Sequence, residues 1–510
     1  MIDLLIRNGT VVNADGRCRA DVAVRDGKIV AVRESVGASL VTPAIGDVLV
    51  PGIESVPGTE PAPEDLLAFD TVPIPRTVLA PEGVAATGTV PALEISPSTK
   101  IVDATGLLVL PGAVDVHNHF ELSFGSFQSA DDFAAGTRAA ACGGVTTIID
   151  FVMPDNGESL SEALAKRQEL ADPKVCIDYA LHMGITYFND DVSKEMEAVV
   201  SNGITSFKVF MTYDFRVDNN ELLHILKRTK ELGAIALVHA EDHDEISTLR
   251  EKFIAEGKTD AWYHYISRAE SAEAKGVETA IELAKRAEAT LFIVHLACEE
   301  GLFALEKARE AGFPIYAETC PHYLYFTSDV YKRPDGRNFV CSPAIKGEQS
   351  REALWQAMKN GNIFSVGTDH CPFITENKKL GKDDFTKIPN GVMGVENSYP
   401  LLLNEANKGN LSFERVVELC SANPASLFGL APQKGAIKVG ADADIVLYDP
   451  KKNFTISQSN MHSDLDYTIY EGFSLNGYPV QTYSRGKMVY KDGEFVGTSG
   501  WGRYLKRFRG

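Results

Sequence analysis

Positive charge is scarce in this 510-residue chain: 50 Lys and Arg stand against 70 Asp and Glu, a formal net charge of −20. That balance argues against nucleic acid or an anionic membrane as a main partner, since both are bound through clustered basic residues. Long hydrophobic runs are also missing, and none approaches the roughly 20 apolar residues that span a bilayer. The opening MIDLLIRNGTVVNADG lacks a signal-peptide layout and reads as a strand followed by a turn. The eight cysteines are scattered, with no CxxC pair. Reduced thiols in a cytoplasmic protein are the natural reading. No short-period repeat is visible.

What is present is a large apolar fraction, 44%, enough for a barrel plus a smaller domain. The first 35 residues alternate short strands with turns, as in DLLIRNGTVV and ADVAVRDGKIVAV. Residues 36–98 change to a Pro-, Gly-, Ala- and Thr-rich insertion, either ordered but irregular or a flexible excursion. After IVDATGLLVLPG the grammar becomes strand–helix. Strand candidates follow at AVDVHNHF, GVTTIIDF, DYALHMGI, TSFKVFM, IALVHAE, LFIVHLA, IYAETC and FSVGTDH. Eight such units over residues 104–434 suggest a (β/α)8 TIM-like barrel, with a doubly wound sheet as the alternative. From about Gly435 strands return. Residues 435–490 and 1–103 are therefore expected to form one β-sandwich domain from both chain ends. The tail 491–510, with its basic and aromatic GWGRYLKRFRG, reads as an arm packed on a neighbouring surface.

Polar residues recur where the barrel strands end. His117 and His119 close the first strand on one side of it, His239 the fifth, His295 the sixth and Asp369 the eighth. In a barrel these ends converge on one mouth, and four imidazoles with a carboxylate suit zinc or another borderline divalent metal. Lys208, inside the apolar GITSFKVFM, is the anomaly. An ammonium about 4 Å from a divalent ion would be repelled by roughly 8 kcal/mol at an effective dielectric near 20. A desolvated lysine can instead lose its proton, react with carbon dioxide and become a carbamate that bridges two metals. A lysine snorkelling from its strand is the competing reading.

Together, PGAVDVHNHFEL, SFKVFMTY, LVHAE, IVHLA, AETCPHYL, VGTDHCPF, IPNGVMGVENSYPLLL, NPASLFGL, GADADIVLYD and YSRGKMV resemble the cyclic amidohydrolases, most closely the dihydropyrimidinase/hydantoinase branch. The resemblance covers nearly the whole chain apart from residues 36–98. It implies a binuclear zinc site with His117, His119, Lys208 as N6-carboxylysine, His239, His295 and Asp369 as ligands. It also implies that Tyr213 donates to the developing oxyanion, and that backbone groups at Ser342 and Asn390 hold the ring amide. Phe120-Glu121-Leu122 replaces the arginine that dihydroorotases carry after the HxH pair. CPHYL is favoured by allantoinases, and Ser342-Pro343-Ala344-Ile345-Lys346 stands where the family has SPPLR.

The expected reaction is hydrolysis of a hydantoin or dihydropyrimidine ring to an N-carbamoyl amino acid. A hydroxide bridging the metals would attack, with Asp369 as general base and then acid. Allantoinase or another cyclic ureide or imide amidohydrolase is the alternative, and a non-catalytic dihydropyrimidinase-like structural protein a further one. The expected partners are a small cyclic amide and further copies of the chain, as a tetramer or dimer. His182 reads as structural. Cys320, His322 and His370 fall near the mouth, while His224, His243, His264 and His462 are assigned nothing.

Overall fold

The structure, a computed structural model, describes residues 1–34, 95–124 and 127–508. The insertion expected over 36–98 thus lies almost wholly outside the described residues.

Eight parallel strands line the centre: β1 (Ala113–Asn118), β2 (Val145–Val152), β3 (Asp178–Ile185), β4 (Ser206–Phe210), β5 (Ile235–His239), β6 (Leu291–Ile293), β7 (Ile315–Thr319) and β8 (Ser365–Val366). Their spatial order is their chain order. A parallel bridge between Asn118 and His370 leads from beyond β8 back to β1, so the sheet nearly closes into the expected barrel. The strands are apolar on both faces because both faces are covered. Val116, Ile149, Ala180, Leu237 and Phe292 fill the interior, while Ile148, Tyr179, Phe207 and Val238 pack outward towards the helices.

The helix Asn219–Glu231 shows how the sequence builds the outer layer. Asp218 and Glu221 form a capping box, Leu222, Ile225 and Leu226 make the buried stripe, and Arg228 and Lys230 occupy the last turn. Gly233, with φ of +63°, ends it.

Strands β6 and β8 are shorter than LFIVHLA and FSVGTDH suggested. They stop at Ile293 and Val366, because His295 (φ +40°) and Asp369 (φ +48°) adopt left-handed backbone that a strand does not accommodate. Both residues therefore lie beyond the strand ends.

The chain ends build one nine-stranded mixed sheet. Its halves join at Leu108–Pro111, which runs parallel to Leu4–Asn13 and antiparallel to Ile445–Thr455. The Asp26-Gly27 hairpin turn has positive φ at both positions, +50° and +74°, as a type I′ turn requires. The terminal arm packs on the chain's own barrel. Gly502 N–H donates to Val175 O (3.0 Å) and Leu505 N–H to Tyr179 O (2.7 Å), and Leu505 joins the barrel-interior cluster. Sheet and barrel are tied by Lys434, whose buried ammonium lies 2.7 Å from Asp178, 2.7 Å from Asp444 and 3.0 Å from Asp442.

Candidate metal centre and substrate cleft

The six residues expected as metal ligands are all buried. His117 and His119 occupy alternate positions at the end of β1, with ring centroids 5.1 Å apart. His117 lies 5.4 Å from the His295 ring, and His295 4.5 Å from His239. Asp369 Oδ1 stands 3.0 Å from His119 Nε2 and 3.1 Å from His117 Nε2. One ligand atom from each of His117, His119 and Asp369 lies within 4.8 Å of the others. Lys208, on β4, places its Nζ 5.3 Å from the Phe151 ring and 5.1 Å from Phe210.

The donor set fits a metal centre. Buried polar atoms are almost always hydrogen-bonded, yet His117 Nε2, His119 Nδ1 and His295 Nδ1 have no hydrogen-bond partner. Imidazole nitrogens are of the kind that a borderline cation binds once they are unprotonated, and His117 Nε2 faces the Asp369 carboxylate at 3.1 Å.

Electrostatics supports the same grouping. Burial lowers the Lys208 pKa to about 8, against the pull of Asp369 and Glu318. Burial also lowers the pKa values of His119, His239 and His295. For His117 burial is outweighed by Glu318 and Asp369, and its pKa rises to about 9. Asp369 is held well below the usual carboxylate range, since His117 and His119 overcome the effect of burial.

Two buried carboxylates beside the candidate ligands were not singled out from the sequence. Glu318, at the end of β7, accepts a short hydrogen bond from His117 Nδ1. Glu241 accepts from His239 Nε2 at 2.6 Å and pairs with the buried Arg268. Carboxylates that orient ligating imidazoles in this way fix which nitrogen is offered to a metal. Their signal was present in AET and HAE: a charged residue ending an apolar strand is as costly unpaired as Lys208.

Tyr213 lies beyond β4, at the rim. Its φ is +78°, so three site residues, Tyr213, His295 and Asp369, carry left-handed backbone, a conformation that clusters at functional sites. Burial raises its phenol pKa to about 12, opposed by Arg268, whose guanidinium lies 5.4 Å from the ring. The hydroxyl thus keeps its proton as a donor. Ser342 stands beside the Tyr213 phenol and lowers its pKa, while Asn390 Oδ1 is buried and unpartnered.

The remaining histidines separate clearly. His182 donates to Val116 O (3.0 Å) and also bonds Ser206, a structural arrangement. His370 donates to Asp131 (2.8 Å) and accepts from Gly394 N–H (3.1 Å). His322 has both ring nitrogens buried without partners, and Cys320 is a buried thiol whose pKa is raised by burial. His264, which the sequence placed in a helical or surface context, is on a helix but buried, donating to Cys341 O (2.8 Å).

A (β/α)8 barrel with imidazoles, a carboxylate and a buried lysine at its strand ends defines a hydrolase-type barrel centre. The Amidohydrolase family model matches residues 108–489. A D-hydantoinase from Ralstonia pickettii is 38% identical, over 99% of this chain and 99% of its own. A D-phenylhydantoinase from Escherichia coli O127:H6 is 42% identical over 81% of this chain and 91% of its own. The crystal structure of a dihydropyrimidinase from Brevibacillus agri NCHU1002 superposes with a TM-score of 0.86 at 38% identity, covering 99% of each chain. The chain belongs to the amidohydrolase family, in its hydantoinase and dihydropyrimidinase branch.

Proposed function

We propose that this protein hydrolyses the cyclic amide of a hydantoin or dihydropyrimidine ring, giving an N-carbamoyl amino acid. The observation that carries the reading is the grouping of His117, His119 and Asp369, with ligand atoms within 4.8 Å of one another, beside a buried lysine. His117, His119, His239, His295, Asp369 and a carboxylated Lys208 would hold two divalent ions, zinc being the best match to this ligand set. When bound, such ions supply hydroxide near neutral pH and polarise a carbonyl.

The chain's own residues do the rest. A neutral Lys208 amine adds carbon dioxide and releases a proton, so that an anionic carbamate stands where the neutral amine was. Asp369 accepts the proton of the attacking nucleophile and returns it to the ring nitrogen as the C–N bond breaks. Tyr213 donates a hydrogen bond from its hydroxyl to the carbonyl oxygen as that oxygen gains charge. Backbone groups of Ser342 and Asn390 hold the ring amide. Among the described residues no helix is long and apolar enough to cross a membrane, and the eight cysteines are free. We read the protein as a cytoplasmic dimer or tetramer. The test is a screen of purified enzyme against hydantoin, dihydrouracil, allantoin and dihydroorotate, with metal content measured in parallel. Turnover of hydantoin or dihydrouracil is expected; turnover of allantoin alone would overturn the assignment of the ring.

A further inference from the structure

Lys378 lies beyond Asp369 on the short helix Thr375–Lys379. Its neighbours Glu376 and Lys379 are exposed, but Lys378 is 0% exposed. An ammonium has three protons to give, and here each meets a backbone carbonyl: Val340 at 2.9 Å, Pro389 at 2.7 Å and Gly391 at 2.7 Å. The Phe373 ring stands 5.7 Å from the nitrogen. The titratable groups facing it are the thiols of Cys341 and Cys371, both kept protonated by burial. Burial draws the Lys378 pKa down to about 7, while the three charge-assisted bonds favour the ammonium form.

Those carbonyls belong to two chain segments. Val340 lies two residues before Ser342, and Pro389 and Gly391 flank Asn390. The segments also touch directly, through Gly391 N–H to Val340 O at 2.9 Å. Around Ser342 the other carbonyls are occupied: Cys341 O by His264 and Pro343 O by the Tyr323 hydroxyl (2.8 Å each). The backbone carbonyls of Ser342 and Asn390 themselves receive no donor from the described residues. Their neighbours on either side are thus tied down while these two stay available to a ligand.

We infer that Lys378 is a positioning residue for substrate recognition, its ammonium pinning the Ser342 segment to the Asn390 segment so that their free carbonyls hold a fixed relative placement. A ring amide or imide N–H is the donor such carbonyls would take. The inference rests on the reading above that Ser342 and Asn390 contact the substrate ring.

The test uses Lys378→Met, which removes all three donors, and Lys378→Gln, which keeps two N–H donors and remains usable where the methionine variant does not fold. Amide hydrogen exchange, metal content and steady-state kinetics on hydantoin and dihydrouracil are measured for both. Exchange is expected to quicken together around residues 338–345 and 388–395, with barrel strands still protected. KM is expected to rise about tenfold or more, the scale of a lost hydrogen bond to a charged group, with kcat and metal content much less changed. A lysine that only stabilises the fold would lower the active fraction, and so kcat, with KM constant. Unchanged exchange in the two segments, or wild-type KM in a folded variant, overturns the inference. Wild-type enzyme inert towards every ring would instead overturn the proposed function, and exchange would still decide whether Lys378 pins the segments.

Discussion

Glu318 accepts a hydrogen bond from the Nδ1 of His117 and thereby leaves the imidazole's Nε2 3.1 Å from Asp369. The same division of labour holds on the other side of the centre, where Glu241 takes His239 Nε2. In each case a carboxylate fixes the tautomer and so decides which nitrogen remains for a cation.

Glu318→Gln is therefore expected to weaken metal binding by about 10- to 100-fold, the usual consequence of losing such an orienting group. The measurement is a competition titration with a metal-binding dye. Wild-type affinity in the variant would remove Glu318 from the centre.

Lys208→Ala is expected to lose both metal and activity, because it removes the bridging anion of the proposed centre. Small carboxylic acids should partly restore turnover by standing in for the carbamate. Full activity without any added acid would sink the binuclear reading.

Carboxylation of Lys208 should depend on pH in a definite direction. Only the neutral amine adds carbon dioxide, and burial brings the Lys208 pKa down to about 8. The neutral fraction thus rises from roughly one tenth at pH 7 to roughly nine tenths at pH 9. In metal-stripped protein at fixed dissolved carbon dioxide, the initial rate of carbamate formation, followed with 13C-labelled carbon dioxide by NMR, should increase about tenfold over that interval. A rate independent of pH would contradict a titrating Lys208.

The joint between barrel and terminal sheet gives a prediction about stability alone. Lys434→Met leaves Asp178, Asp442 and Asp444 buried without their shared cation. Removing one partner from such a network typically costs about 3–5 kcal/mol. Chemical denaturation should show that loss, with KM of the surviving folded enzyme unchanged.

The barrel was legible because its signal repeats: eight apolar strands, each closed by a turn or helix, with polar residues at the same end. The candidate ligands His117, His119, His239, His295 and Asp369 stood out for the same reason, as polar residues at the ends of apolar runs. Glu241 and Glu318 interrupt them too, but a carboxylate at a strand end does not reveal from sequence which imidazole it holds. Lys378 was invisible. It sits in FITENKKL, a polar stretch that reads as solvated surface, and only folding brings Val340, Pro389 and Gly391 around it. The early ends of β6 and β8 were equally hidden, because nothing in the letters His295 or Asp369 marks a left-handed backbone.

Tyr213→Phe separates binding from catalysis. The phenol pKa is raised to about 12 by burial despite Arg268, so the hydroxyl is a proton donor throughout the working range. In the proposed reaction its bond to the substrate oxygen strengthens only as that oxygen becomes negative, which makes it an interaction of the transition state more than of the bound substrate. One such donor is typically worth about 3–4 kcal/mol, so kcat should fall roughly 100- to 1,000-fold while KM moves much less. Steady-state kinetics on hydantoin and dihydrouracil give both constants. The left-handed backbone at Tyr213 is unaltered by removing one oxygen, so the ring should keep its place and the variant its metal. A phenylalanine enzyme with near-wild-type kcat on these rings would take Tyr213 out of the mechanism and leave oxyanion stabilisation to the metal centre alone.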